Sequence, residues 1–285
     1  MRGFSFYDVS MAALTGKTVV LTGASQGLGV VMARALGAAG AQLVLAARSE
    51  DKLQNLAKEL TSSGTRVLPV RCDVTDAPDR QALLAEARAA FGSIDVLVNN
   101  AGVEHLGPYA EQDPATVEQI LATNLQAPML LARAALPAML AAGRGHIVNI
   151  ASLAGRTGMP FGAAYSGSKG GLAEWSISLA AELRGSGVAV TVICPGFVDG
   201  TGMFSRKQTS APRSIGASHP EDVARTLLQV LQKPRVEVVV NPKPVRLLMA
   251  LRALSPETAL ALGRHLGLLD FLKGIATRPP GGKPL

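Results

Sequence analysis

Two cysteines in 285 residues, Cys72 and Cys194, cannot make a disulfide framework. Each follows a strand-like run where a small buried hydrophobe fits, so a reducing, cytoplasmic compartment is expected. Charged residues are scarce at 17% while Ala, Gly, Val and Leu abound, which excludes a disordered chain and favours buried helices and strands. No run of about 18 or more apolar residues exists, because Arg133 and Pro137 interrupt the nearest candidate, so no membrane-spanning helix is expected. The opening MRGFSFYDVSMAALTGK lacks a long apolar core, and no signal peptide is expected. Residues 1–13 read as a leader, of which 1–10 are either a flexible arm or a misassigned start ahead of Met11. The formal net charge is +7, yet basic residues are not interleaved with aromatics, so no nucleic-acid partner is expected. No metal site is expected.

What the chain does have is a regular alternation of apolar, β-branched runs with helical stretches. Strands are predicted at Thr18–Leu21, Gln42–Ala46, Arg66–Arg71, Ile94–Val98, His146–Ala151, Val188–Ile193 and Arg235–Val240. Helical spacing is predicted over 30–40, Glu50–Thr61, Pro78–Phe91, Pro114–Ala142, Ala163–Leu183 and Pro220–Leu231, with Pro128 and Pro137 interrupting the fourth. Composition does not break before about Pro242, which implies an α/β protein with one doubly wound parallel sheet of seven strands over residues 14–242. Residues 243–285 then form a helical C-terminal extension.

TGASQGLG, Thr22 to Gly29, lies between the first strand and its helix. Gly23, Gly27 and Gly29 let the backbone turn tightly and approach a pyrophosphate, Ser25, Gln26 and Leu28 complete the turn, and the helix dipole attracts the charge. The second strand runs on into Ala47 and Arg48 where an acid would bond the ribose hydroxyls and repel a 2′-phosphate. Arg48 can instead hold that phosphate, so the pair points to NADP, the other reading being a surface arginine that opens the next helix. Asp73 and Val74 follow the third strand; Asp73 suits an adenine amino group, and Asp73 or Thr75 equally suits the cap of the next helix. Asn99, Asn100, Ala101 and Gly102 end the fourth strand and either fix backbone around the cofactor or make a turn. Pro195, Gly196 and Val198 end the sixth strand at the same edge.

The stretch GHIVNIASLAGRTGMPFGAAYSGSKGG, Gly145 to Gly171, carries the chemistry. Ser152 ends a buried strand at the sheet edge where ligands of open α/β sheets bind. Tyr165 and Lys169 stand four apart on a predicted helix and so share a face. A phenol titrates near ~10, and one positive charge at ~4 Å in a partly screened site supplies roughly the 4 kcal/mol needed to make it useful at neutral pH. Without other motifs, such a pair equally decorates a solvated helix face. Asn124, disfavoured inside a helix, either bonds a water or distorts the backbone beside the site, or is simply exposed.

Taken in order, TGASQGLG, Asp73, NNAG at Asn99–Gly102, Asn124, Ser152, YSGSK at Tyr165–Lys169 and Pro195–Gly196 resemble the short-chain dehydrogenase/reductase family over residues 14–242. The resemblance implies a Rossmann fold, a nicotinamide cofactor and a catalytic tetrad of Asn124, Ser152, Tyr165 and Lys169. Tyr165 is then the acid or base, Ser152 bonds the substrate oxygen, Lys169 lowers the tyrosine pKa and binds the nicotinamide ribose, and Asn124 holds a relay water. The family often places a threonine five residues after the proline of its Pro–Gly pair; here that position is Gly200, and Thr201 follows it. Val103, Leu153, Met159, Phe161, Phe197, Met203 and Phe204 are candidate pocket residues and suggest an apolar ketone or secondary alcohol as substrate. A homo-oligomer is expected. The alternatives are a catalytically silent nucleotide-binding relative and a peripheral membrane protein using the fold as scaffold.

The extension is basic and apolar together. Lys243, Arg246, Arg252, Arg264, Lys273, Arg278 and Lys283 oppose only Glu257 and Asp270. Val245, Leu247, Leu248, Met249, Leu251 and Leu254 form one apolar segment, Ser255, Pro256 and Glu257 open a second helix, and Leu268, Leu269, Phe271, Leu272 and Ile275 continue the pattern. These helices cover either the substrate pocket or a subunit interface, or they lie on an anionic membrane surface.

Overall fold

The computed structural model describes residues 14–200, 211–212, 215–265 and 267–277. Its main sheet has seven strands, β1 (Thr18–Thr22), β2 (Gln42–Ala47), β3 (Val67–Arg71), β4 (Val96–Asn99), β5 (Gly145–Ile150), β6 (Val188–Pro195) and β9 (Glu237–Val240). They run in the order β3-β2-β1-β4-β5-β6-β9, every pair parallel. Two-residue strands β7 (Phe197–Val198) and β8 (Ala217–Ser218) pair separately. The strand order reverses between β1 and β4, which opens a crevice at their carboxyl ends.

The helices are α1 (Leu28–Ala38), α2 (Glu50–Ser62), α3 (Ala77–Phe91), α4 (Pro114–Leu121), α5 (Ala127–Ala141), α6 (Ala154–Thr157), α7 (Ala163–Glu182), α8 (Pro220–Gln232), α9 (Arg246–Leu254), α10 (Pro256–His265) and α11 (Leu268–Ala276). Alternate strand residues face opposite layers. Val19, Leu21, Leu43 and Leu45 pack with Met32 and Leu36 of α1, Leu53 of α2 and Leu227 of α8, whereas Val20, Val44 and Leu97 pack with Leu83 of α3 and Leu131 of α5. Both faces are therefore covered, and the strands read as near-continuous apolar runs for that reason.

The break between α4 and α5 falls earlier than the prolines suggest. Ala122–Gln126 forms a π-helical turn, while Pro128 sits in the first turn of α5, where no N–H is needed, and Pro137 is carried inside α5. The cap of α3 is neither Asp73 nor Thr75. Asp76 takes that place, its carboxylate accepting from Asp79 N at 2.9 Å.

The amino edge of the sheet is closed by charge. Asp95 is buried there, accepts from Thr18 N at 3.0 Å, and lies 3.6 Å from Lys17 and 3.5 Å from Arg144. Nearby on β5, His146 is 6% exposed with Nε2 2.8 Å from Thr191 Oγ1, and burial pushes its pKa down to about 4. Its folded pKa lies below the unfolded value of about 6.5, so its stabilising contribution is full above that value and is lost as pH falls towards 4, on the order of 3 kcal/mol. His146→Gln keeps a partner for Thr191 and does not titrate. Thermal unfolding of this variant between pH 6.5 and 4 should fall off less steeply than that of the wild type.

Candidate active site

The carboxyl edge is built differently. Gly23 has φ +65°, and a Cβ there would lie 2.8 Å from Ala101 Cα; at Gly29 a Cβ would collide with Gly23 O. Gly27, at the entry to α1, has φ +60°, and the first turn of α1 carries no acid, so its free N–H groups and positive dipole end suit an anion. Thr22 joins this turn to β4: its Oγ1 accepts from Asn100 N and Ala101 N at 3.0 and 3.1 Å. Asn100 Nδ2 donates back to the Thr22 and Gly23 carbonyls at 3.0 and 3.1 Å. The Asn99–Gly102 stretch therefore shapes the glycine turn itself.

At the end of β2, Ala47 is buried and its carbonyl accepts from Cys72 N at 3.0 Å, whereas the Arg48 side chain is 60% exposed and 3.9 Å from Asp73. Burial pushes the Asp73 carboxyl up, but hydrogen bonds from Thr75 N and Oγ1 and the charges of Arg48 and Arg71 outweigh it and favour the ionised form. A cation and a fixed carboxylate thus stand together where β2 and β3 end.

Ser152 follows β5, and its Oγ accepts from Ala154 N at 3.1 Å at the start of α6. Tyr165 and Lys169 are both buried on α7, and Lys169 Nζ donates to Ile150 O at 2.8 Å. Burial lowers the Lys169 pKa to about 8. The Tyr165 phenol moves opposite to the expectation. Burial and then the charge of Glu104 push it above its ordinary value, and a hydrogen bond with Ser152 only partly offsets them.

Asn124 lies in the π-helical turn, fully buried. Its Oδ1 accepts from Val103 N at 2.8 Å, and its Nδ2 donates to Val103 O at 2.8 Å and Ser168 Oγ at 3.1 Å. Of the readings open in the sequence, exposure is excluded and backbone distortion is what the geometry displays. Asn124 ties the Val103 backbone, beyond the end of β4, to Ser168 of α7.

One cleft of about 1040 Å³ unites these parts. Gly23, Ser25, Gln26, Gly27, Leu28, Arg48, Asp73, Val74, Asn100, Ala101, Gly102, Ser152, Tyr165, Lys169, Pro195, Gly196 and Val198 all line it; Gly29 and Asn124 do not. Of the pocket candidates, Val103, Leu153, Met159 and Phe197 reach the cleft. Phe161 does not: it adopts φ +65° in a turn and its carbonyl accepts from Gly107 N at 2.8 Å. Thr201, Met203 and Phe204 lie outside the described residues.

Several further groups join the site, among them Glu104, His105, Gln112 and Arg156, which no sequence motif marks. Glu104, His105 and Gln112 line the cleft from the segment after Gly102. Arg156 of α6 pairs with Glu174 of α7 and, through Nε, with Glu237 of β9 at 2.8 Å, while its carbonyl accepts from Arg252 of α9 at 2.8 Å. This joins the Ser152 segment to the helix of Tyr165 and Lys169. Leu268, Leu272, Ile275 and Ala276 of α11 form one wall of the cleft, and Phe271 meets Phe197 edge-to-face with ring centroids 5.9 Å apart. The extension therefore covers the pocket, one of the readings left open above.

A phosphate-binding turn and a buried phenol–ammonium pair, far apart in sequence, open on the same crevice, an arrangement that serves dinucleotide-dependent oxidoreduction. The chain belongs to the short-chain dehydrogenase/reductase family: the short chain dehydrogenase pattern matches residues 17–211. It is 41% identical over 266 residues to ketoacyl reductase HetN of Nostoc sp., covering 92% of this chain and 93% of that one. It is 35% identical over 262 residues to dehydrogenase/reductase SDR family member 7B of Bos taurus, covering 86% and 79%. Among solved structures, a variant of actinorhodin polyketide ketoreductase with NADPH superposes with TM-score 0.74 at 31% identity, covering 80% of this chain and 97% of that one. A metagenomic short-chain oxidoreductase in complex with NADP gives TM-score 0.70 at 39% identity, covering 81% and 100%.

Proposed function

We propose that the protein is an NADP-dependent reductase of ketones on apolar, acyl-like chains, with Tyr165 as general acid. The observation that carries this reading is the cleft itself, which is lined together by buried Tyr165, half-buried Ser152, the glycine turn and the apolar residues of α11. Gly23, Gly27 and the amino end of α1 fit a pyrophosphate, Arg48 fits a 2′-phosphate, and the NADPH and NADP held by the two structural neighbours agree. When bound, this cofactor supplies the hydride that adds to the carbonyl carbon. Tyr165 gives its hydroxyl proton to the carbonyl oxygen, and the Ser152 hydroxyl donates a hydrogen bond to that oxygen. With its pKa pushed up by burial, the phenol carries its proton at neutral pH, as the acid role requires. Lys169, which lines the cleft, would hold the nicotinamide ribose, and Asn124 bonds the Val103 backbone that borders the site. The names of the Nostoc ketoacyl reductase and the actinorhodin polyketide ketoreductase support the substrate class.

The test pairs a long-chain 3-oxoacyl ester with its short-chain homologue. Leu272→Ala with Ile275→Ala removes buried methyl groups from the wall and should lower kcat/KM for the long chain by about 10- to 100-fold relative to the short one. NADPH affinity should stay within about threefold, because the groups that fit it lie on β1, α1 and β2. An equal loss for both esters, or no NADPH oxidation with either by the wild type, would refute the assignment.

A further inference from the structure

While α11 turns its apolar side into the cleft, α9 turns much of its own outward. No residue of α9 is buried, although Leu247, Leu248, Met249, Leu251 and Leu254 are apolar. Leu247 and Leu254 are 79% and 86% exposed, and with Ala250 they fall at helical spacing on one stripe. Arg252, on the opposite side, fixes the helix to α6 through the Arg156 carbonyl. On α10, Leu260 is 58% exposed, and Arg264 stands one turn further on the same side.

The charge around these leucines selects the occupant. From Lys243 to Leu254 there are three cations, Lys243, Arg246 and Arg252, and no acid. A second copy docked face to face across a two-fold axis would bring these cations against themselves, whereas an anionic lipid surface satisfies charge and apolar area together. No helix among the described residues is long and apolar enough to cross a membrane, so such a contact lies in the interface plane. We propose that α9 and α10 dock the protein on an anionic lipid surface, with Leu247, Leu254 and Leu260 in the acyl boundary and Lys243, Arg246 and Arg264 among the headgroups.

Flotation with phosphatidylcholine vesicles, with and without phosphatidylglycerol, tests this on the full chain. The wild type should float only with the anionic vesicles, and high salt should weaken binding about tenfold or more. Leu247→Glu with Leu254→Glu should abolish flotation, and Arg246→Glu should weaken it by about fivefold or more, while both variants keep wild-type NADPH affinity because none of these residues lines the cleft. Failure of the wild type to float, equal binding to neutral vesicles, or indifference to the leucine substitutions would overturn the proposal. A wild-type dimer that the leucine substitutions split, without flotation, would show that a second copy covers the face and would also overturn it. The readout is lipid binding, so its failure is distinct from failure of the proposed reaction.

Discussion

Tyr165→Phe should cut turnover by about 10² or more while leaving the fold and NADPH binding nearly intact. The substitution keeps the buried ring and removes only the hydroxyl, so the packing of α7 against β5 is preserved. That packing rests on other contacts: Asn149 Nδ2 donates to Ser176 Oγ at 2.8 Å, and Lys169 Nζ to Ile150 O at 2.8 Å. The variant loses its hydrogen bond with Ser152, worth on the order of 1 kcal/mol in stability. Its unfolding midpoint should therefore shift by only a few degrees, whereas the proton donor to the ketone oxygen is gone. Steady-state NADPH oxidation, with NADPH affinity read from fluorescence, separates these effects. Near-wild-type turnover in Tyr165→Phe would rule out the acid role.

The direction in which the Tyr165 phenol is shifted was not legible in the sequence. Spacing alone set Tyr165 and Lys169 on one face and suggested an ammonium pulling the phenol down. Burial, contributed by segments distant in sequence, is the larger effect and pushes the phenol up. The same distance problem hid α11 as a cleft wall: its leucines were readable as an apolar helix, but what they covered depended on contacts across the whole chain. By contrast, the seven strands were visible because burial on both faces demands continuous apolar runs, and the glycine turn was visible because close backbone approach admits no Cβ at Gly23 or Gly29. Asn124 lay between these cases. Its poor fit to a helix marked a distortion, but only the fold disclosed a π-helical turn bonded to Val103. The four-residue α6 gave no periodic signal, which left Arg156 and its ion pairs unanticipated.

Arg48→Ala combined with Ala47→Asp should reverse the cofactor preference from NADPH to NADH. Ala47 ends β2 with its backbone fixed by Cys72, so a carboxylate placed there is held at the site of the ribose hydroxyls and repels a 2′-phosphate. Arg48 is exposed and only 3.9 Å from Asp73, a contact contributing little to stability, so its loss should leave the fold unchanged. Each lost charge-assisted contact to the phosphate costs roughly 1.5 to 3 kcal/mol, which corresponds to about 10- to 150-fold in NADPH affinity. The catalytic groups on β5 and α7 are untouched, so kcat with NADH should approach the wild-type value with NADPH. The ratio of kcat/KM for the two cofactors, measured with one ketone, decides the matter. A wild type that already uses NADH as well as NADPH, or a double variant that keeps its NADPH preference, would remove Arg48 from the phosphate site.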